Sequence, residues 1–390
     1  MATTPSVELP RAQERLAVAA LALAAFALNL NTNVLGALLP FVGGDLTLAP
    51  GDDGLLIVAA AVGSAIGALV GGPLADRHGR RRCLLWGLGL FALASALHFA
   101  ATTFALFVAV RALAGAAVGV AYAAASAAVA EIVPYERRGA AMGRFTAGMF
   151  LAYPLGLPLS VALAQAGWWR GIFAVQTALA LLGVWWTARA VPTAPPRERV
   201  PLSWRPLFAG PVAAGLAATM LHVGSFFTTV QLVGTWLDRT GQVPKAQQVW
   251  LWVGLGLASV LGSAWLGRTS DRFGKRTFVL ATSVVLVGCF VLLSREPGPW
   301  PLLAVGVTLA VTAAARTGPL QALVSGLVPP AQLAAVMGLR GFVMQVGVAL
   351  FASAAGLVDR EFGFRGVLLL GAGCQMLSFL AIRFGVPRGR

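Results

Sequence analysis

The stretch GPLADRHGRRRCL runs from Gly72 to Leu84, and 195 residues later GRTSDRFGKRTFV runs from Gly267 to Val279. Gly72, Asp76, Arg77, Gly79, Arg80 and Arg81 return as Gly267, Asp271, Arg272, Gly274, Lys275 and Arg276. The same offset carries Gly67 onto Gly262, and Pro134, Ala140, Met142 and Gly143 onto Pro329, Ala335, Met337 and Gly338. It also carries Arg170 and Gly171 onto Arg365 and Gly366. One gapless offset joining three separated loops implies a duplicated unit.

The residues between these loops identify the solvent. Of 390 residues, 58% are hydrophobic and 11% charged, and the mean hydropathy is +0.80. A soluble domain carries about a quarter charged residues, so most of this surface must face lipid. The net charge of +15 does not imply a nucleic-acid partner. Its basic residues fall between apolar runs, where the positive-inside rule places cytoplasmic loops, and not on one soluble face. Cys83, Cys289 and Cys374 lie far apart in or beside apolar runs. They give no disulfide framework and no metal spacing, and neither a metal nor a cofactor is expected.

Residues 1–15 are polar, and the apolar run at 16–42 is too long for a signal-peptide core. Apolar segments of about 20 residues can each span the hydrocarbon core. The sequence predicts twelve, at 16–42, 54–74, 83–101, 104–131, 141–165, 171–191, 207–237, 247–267, 277–294, 301–327, 335–358 and 365–385. An even number puts both termini on one side. Twenty of the 29 Lys and Arg lie at the termini and in the loops after segments 2, 4, 6 and 8, with Arg144 assigned to the loop after segment 4, Arg189 to that after segment 6 and Arg383 to the C-terminus. That side, and both termini, are expected to be cytoplasmic, with the protein multi-pass in a bacterial inner membrane. Trp168, Trp169, Trp236, Trp250 and Trp300 fall at predicted outer ends, where interfacial anchors sit. The Pro-rich stretch at 192–206 reads as a cytoplasmic linker between bundles at 1–191 and 207–390. The expected fold is an all-α membrane protein, with twelve transmembrane helices in two pseudo-symmetric six-helix bundles. Each repeat holds an even number of helices, so the copies share one orientation about an axis along the membrane normal.

Gly63, Gly67 and Gly71 bare one face of segment 2 for close helix approach, and Gly72 extends it. Asp76 can then offer its carboxylate to Arg80 or to a neighbouring helix N-terminus. Such a contact can latch the cytoplasmic side and break when two bundles rock. A plain topology anchor would explain Arg80, Arg81 and Arg82 but not Asp76 or the glycines.

GPLADRHGRR matches in full the G-x-L-A-D-R-x-G-R-R pattern of the major facilitator superfamily, which the chain resembles over its whole length through helix count and repeat. The second copy has Thr269 where Leu is usual. The resemblance implies that Glu131, in EIVPYERRG, joins the Asp76 charge cluster. The matching residue in the second half is Gly326, so the latch is expected to be asymmetric. RALAGAAVG, from Arg111 to Gly119, resembles the family's R-x-x-x-G-x-x-x-G helix. MFLAYPLGLP keeps the Pro154 and Gly156 of the antiporter motif but has Tyr153 where glycine is usual. NTNVLGALLP and HVGSFFTTVQL resemble the drug-antiporter group's sugar- and arabinose-efflux-like branch.

None of the 14 acidic residues lies at the middle of a predicted helix. Arg111 and Arg316 do lie within the membrane, where a charge costs at least about 2.5–3.5 kcal/mol and must face a cavity or a partner. Arg316 is either a ligand anchor or a residue satisfied by helix carbonyls or by Gln321. Arg340 is expected at the gate or headgroup region. His222 can titrate near neutral pH and carry a coupling proton, or sit as a satisfied core histidine. Asn31, Asn33, Tyr153, Thr228, Thr229, Gln231 and Gln345 are the further candidates for orienting a solute.

These readings predict a monomeric secondary transporter, an efflux permease that moves a drug, sugar or organic anion by alternating access. Proton coupling is one source of energy; uniport and anion exchange are the alternatives. A receptor with the same fold or an embedded enzyme are the rival classes. The absence of HExxH, GxSxG and a membrane carboxylate pair argues against the enzyme.

Overall fold

A computed structural model describes residues 9–46, 52–193, 210–240, 245–296 and 298–388, and all the secondary structure in them is helical. The helices are α1 Arg11–Leu46, α2 Asp52–His78, α3 Arg80–Leu97, α4 Phe104–Ile132, α5 Arg138–Phe150 and α6 Leu157–Gln165. They continue with α7 Gly171–Ala190, α8 Gly210–Thr240, α9 Lys245–Phe273, α10 Lys275–Leu293, α11 Pro299–Ser325 and α12 Leu333–Gly385.

Three of the predicted segments differ in detail. The segment at 141–165 is α5 and α6 joined by a π-helical turn, Ala152–Gly156. Pro154 has no N–H to give the regular ladder, so the backbone widens there. The segments at 335–358 and 365–385 are continuous in α12, with the reversal at Gly363, φ 66°. Arg144, assigned above to a loop, lies inside α5. Among the described residues, ten helices are long and apolar enough to cross a membrane. The twelve predicted spans follow, because α12 counts once for two and α3 falls short only through Arg80, Arg81 and Arg82.

Contacts divide the chain into two compact units. The first holds Met1–Tyr135, Arg144–Leu202 and Pro329–Phe342; the second holds Glu136–Gly143, Ser203–Val328 and Val343–Arg390. Each therefore includes a short segment from the other sequence repeat. Most of the linker expected at 192–206 (residues 194–206) lies outside the described residues.

In the first unit, the glycines of α2 meet α4. A Cβ on Gly63 or Gly67 would land on the carbonyl oxygens of Ala112 and Ala116, and one on Gly115 or Gly119 would land on those of Ala60 and Ser64. The two backbones are in contact along this seam, while Val62, Ile66 and Val70 on the adjacent face are exposed, as lipid-facing residues should be. Gly67→Val must push α2 off α4, at a cost of roughly 1–3 kcal/mol or more. The expected result is loss of the monodisperse peak in size-exclusion chromatography, with an unchanged elution profile counting against the seam.

At the far end of this unit, Asp45 accepts hydrogen bonds from Trp169 Nε1 (2.8 Å) and Arg170 Nη1 (2.7 Å). Trp169 is buried against Phe107 and Phe173, so it is a core residue and not the interfacial anchor expected from its position. Trp168, Trp250 and Trp300 are exposed, whereas half-buried Trp236 stacks on Phe364 at 5.1 Å. The three cysteines are free and buried.

Candidate functional site

The turn between α2 and α3 is made at Gly79, φ 92°, and that between α9 and α10 at Gly274, φ 86°. An L side chain rarely adopts this backbone, which explains glycine at both repeat images. The turn leaves Asp76 in the last turn of α2 and Arg80 in the first of α3.

Asp76 points at the start of α12. Its Oδ1 accepts from Ala334 N at 3.0 Å and its Oδ2 from Ala335 N at 2.7 Å. First-turn amides have no intrahelical acceptor, and a carboxylate there also opposes the helix dipole. Arg80, 4% exposed, pairs with Asp76 at 3.3 Å and with Glu131 at 2.8 Å, and donates to the Pro330 carbonyl at 2.6 Å. A Cβ at Gly72 would lie 2.5 Å from the Ala334 oxygen, so glycine is what lets α12 come this close.

The second unit repeats the arrangement. Asp271 accepts from Gly139 N at 2.9 Å and from Ala140 N at 2.8 Å, at the start of α5, and pairs with Lys275 at 2.9 Å. A Cβ at Gly267 would lie 2.7 Å from the Gly139 oxygen. Both amide donors are displaced by the same 195 residues as the motif: Ala334 and Ala335 answer to Gly139 and Ala140. The asymmetry is at Glu131, whose counterpart is Gly326; Ser325 beside it accepts from Arg138 at 3.1 Å.

Arg77, Arg81, Arg272 and Arg276 are not brought into these clasps. Arg77 and Arg272 are exposed on the outer side of their helices. Arg81 instead ties α3 to the end of α7, donating to the Thr193 hydroxyl and the Ala188 carbonyl.

Deeper in the first unit, Arg111 and Asn31 meet. The guanidinium donates to Asn31 Oδ1 at 2.7 Å and to the Asn31 carbonyl at 3.3 and 3.4 Å. Tyr153 lies half-buried in the π-helical turn, its ring 6.3 Å from Phe150. The side chains of Asn33 and Gln231 lie outside the described residues.

In the second unit a polar cluster joins α8, α11 and α12. Arg316 is fully buried and donates to Gln375 Oε1 (3.0 Å) and Ser378 Oγ (2.8 Å). Gln375 donates to Ser225 Oγ at 2.8 Å, and His222 lies 3.3 Å from both Gln375 Oε1 and the Ala313 carbonyl. Gln321, expected above as a partner of Arg316, makes no hydrogen bond to it; its amide is buried without a partner among the described residues. Thr228 is buried with no partner for its hydroxyl among the described residues, Thr229 donates to the Ser225 carbonyl at 2.8 Å, and Gln345 is half-buried. Arg340, expected at the gate or a headgroup, is buried in the first unit beside Tyr122.

Gln375, Ser378 and Tyr122 were not singled out from the sequence. The available signal was a polar residue inside an apolar segment, and for Gln375 and Ser378 the i, i+3 spacing that puts both on one helix face.

A sequence model of the Major Facilitator Superfamily matches residues 21–241 and again 236–390. The chain belongs to this superfamily. Its two matches overlap at residues 236–241. Among superfamily relatives, an uncharacterized MFS-type transporter of Bacillus subtilis, YceJ, is 27% identical over 85% of this chain and 86% of its own length. A probable sugar efflux transporter of Helicobacter acinonychis is 29% identical over 68% of each chain. The solved structure of the proton:xylose symporter XylE superposes with a TM-score of 0.82 over 96% of each chain at 15% identity, a likeness of fold. This superfamily member is thus a membrane transporter with the twelve-helix, two-bundle fold, and not an enzyme.

Proposed function

We propose that this transporter is an efflux permease of the bacterial inner membrane, monomeric and with both termini cytoplasmic, that carries a small solute by alternating access. The observation that carries the reading is the pair of clasps at Asp76 and Asp271. Each holds the first amides of a helix from the other sequence repeat through one carboxylate, a contact that can be broken and remade without unfolding either helix. The efflux direction is supported by the name of the Helicobacter relative, a probable sugar efflux transporter. A tenfold uphill step needs about 1.4 kcal/mol, and one charge crossing 100 mV supplies about 2.3 kcal/mol, so one proton per cycle suffices.

The test begins with a thermal-shift screen of sugars, drugs, organic anions and nucleobases on the purified chain. Flux of each stabilising compound follows in proteoliposomes, with and without a pH gradient. Saturable flux that a pH gradient accelerates is expected. Flux indifferent to the gradient would replace proton-coupled efflux by uniport or exchange, and stabilisation with no flux at all would make the protein a receptor.

A further inference from the structure

The buried arginines differ in how their guanidinium edges are used. Arg111 and Arg316 each commit Nη1 and Nη2, leaving only Nε without a partner among the described residues. Arg340 is 1% exposed and has no hydrogen-bond partner there for either Nε or Nη2. Those two N–H groups point the same way from one edge of the planar fork, the edge that receives both oxygens of a carboxylate or phosphate. The Tyr122 hydroxyl lies beside the guanidinium and itself donates to the Met149 sulfur at 3.6 Å. No carboxylate lies within ion-pair distance of Arg340 among the described residues. A buried cation with two parallel unpaired donors is costly unless something anionic meets them.

The Phe145 ring lies 5.3 Å from that of Tyr122, and Asn29 Nδ2, on α1, donates to the Met149 carbonyl at 2.8 Å. The helix that carries Arg340 is also the one whose first amides Asp76 holds. Arg340 lies five residues beyond Ala335, about 7–8 Å deeper along the axis. A solute seated on this fork would therefore rest on the very helix that the clasp holds.

We infer that the Arg340 fork, positioned by Tyr122, is the anchor for an oxyanion group, and that the solute carried by this transporter is a small organic anion bearing a carboxylate or a phosphate. The substrate class rests on the transport reading above; the binding site does not.

The test uses matched probes on the full chain in phosphatidylcholine nanodiscs: glucose against glucuronate and glucose 6-phosphate, and benzamide against benzoate. At least one anion is expected to raise the Tm where its neutral twin does not. Arg340→Gln should abolish that shift, and Arg340→Lys, which keeps the charge but loses the fork, should raise the apparent Kd at least about tenfold. Should Arg340→Gln fail to fold, Arg340→Lys and Tyr122→Phe carry the comparison, Tyr122→Phe weakening the anions and sparing the neutral probes. The inference is overturned if no anion shifts the Tm, if neutral twins shift it equally, or if the Arg340 variants keep the wild-type affinity. A shift produced by adding phosphatidylglycerol, and not displaced by any free anion, would make the ligand a lipid phosphate and overturn the solute assignment. If Arg340→Gln moves a neutral solute at the wild-type rate, the transport reading survives without the anion. If an anion binds through Arg340 and nothing is transported, the site stands and the transport reading falls.

Discussion

Asp76→Asn is expected to cut solute flux at least tenfold, a change of about 1.4 kcal/mol, while leaving solute affinity within about twofold. The carboxylate spends both oxygens on the amides of Ala334 and Ala335, and Arg80 contacts it as well. Asparagine keeps one carbonyl oxygen and turns an NH₂ group toward the other amide, so a charge-assisted acceptor becomes a donor facing a donor. Hydrogen bonds to charged groups contribute about 1.5–3 kcal/mol each, and a loss of that size moves a two-state balance by about ten- to a hundredfold. The solute meets none of these atoms in the reading given above, so its affinity has no direct reason to change. Asp271→Asn should act in the same direction. Flux and affinity measured in parallel decide the matter: wild-type flux in Asp76→Asn would remove the clasp from the transport cycle.

The second large effect is expected at Arg80. Its guanidinium lies between Asp76 and Glu131, all three side chains being at most about one-eighth exposed, and it also serves the Pro330 carbonyl. Removing the cation from a buried group of charges is far more damaging than removing the group as a whole, typically by about 3–5 kcal/mol. Arg80→Met should therefore lower the Tm by roughly 5 °C. Glu131→Gln in the same chain should restore part of the loss, giving a coupling energy of about 1 kcal/mol or more in a double-mutant cycle. Strict additivity of the two substitutions would mean that Arg80 and Glu131 act separately, whatever their 2.8 Å separation.

The clasps were legible because their chemistry is local. Gly79 must turn the chain, Asp76 lies four residues from Arg80, and the same letters recur at Asp271, Gly274 and Lys275. Their targets were legible only as a class. Sequence reasoning pointed to a helix N-terminus, and tertiary structure chose Ala334 and Ala335 for one carboxylate and Gly139 and Ala140 for the other. Arg77 and Arg272 stand in the same motif yet face outward, because adjacent helical residues lie about 100° apart and only one can point at the partner. The membrane arginines were the harder case. Their cost in lipid was evident from the apolar runs around Arg111, Arg316 and Arg340, but helix rotation decides the partner. Arg111 found Asn31, Arg316 found Gln375 and Ser378 in place of Gln321, and Arg340 found Tyr122.

Hydropathy, the 195-residue offset and the spread of Lys and Arg were enough to establish a membrane solvent, twelve spans and a duplication, since each depends on composition along the chain and not on which residues meet. Which side chains share an interior was decided only by packing. A transmembrane helix can turn about its axis with little change in the apolar surface it offers to lipid, so the sequence leaves the facing of each polar residue open. Close backbone contact, such as that of Gly63 and Gly67 with Ala112 and Ala116, removes that freedom and sets the buried hydrogen bonds.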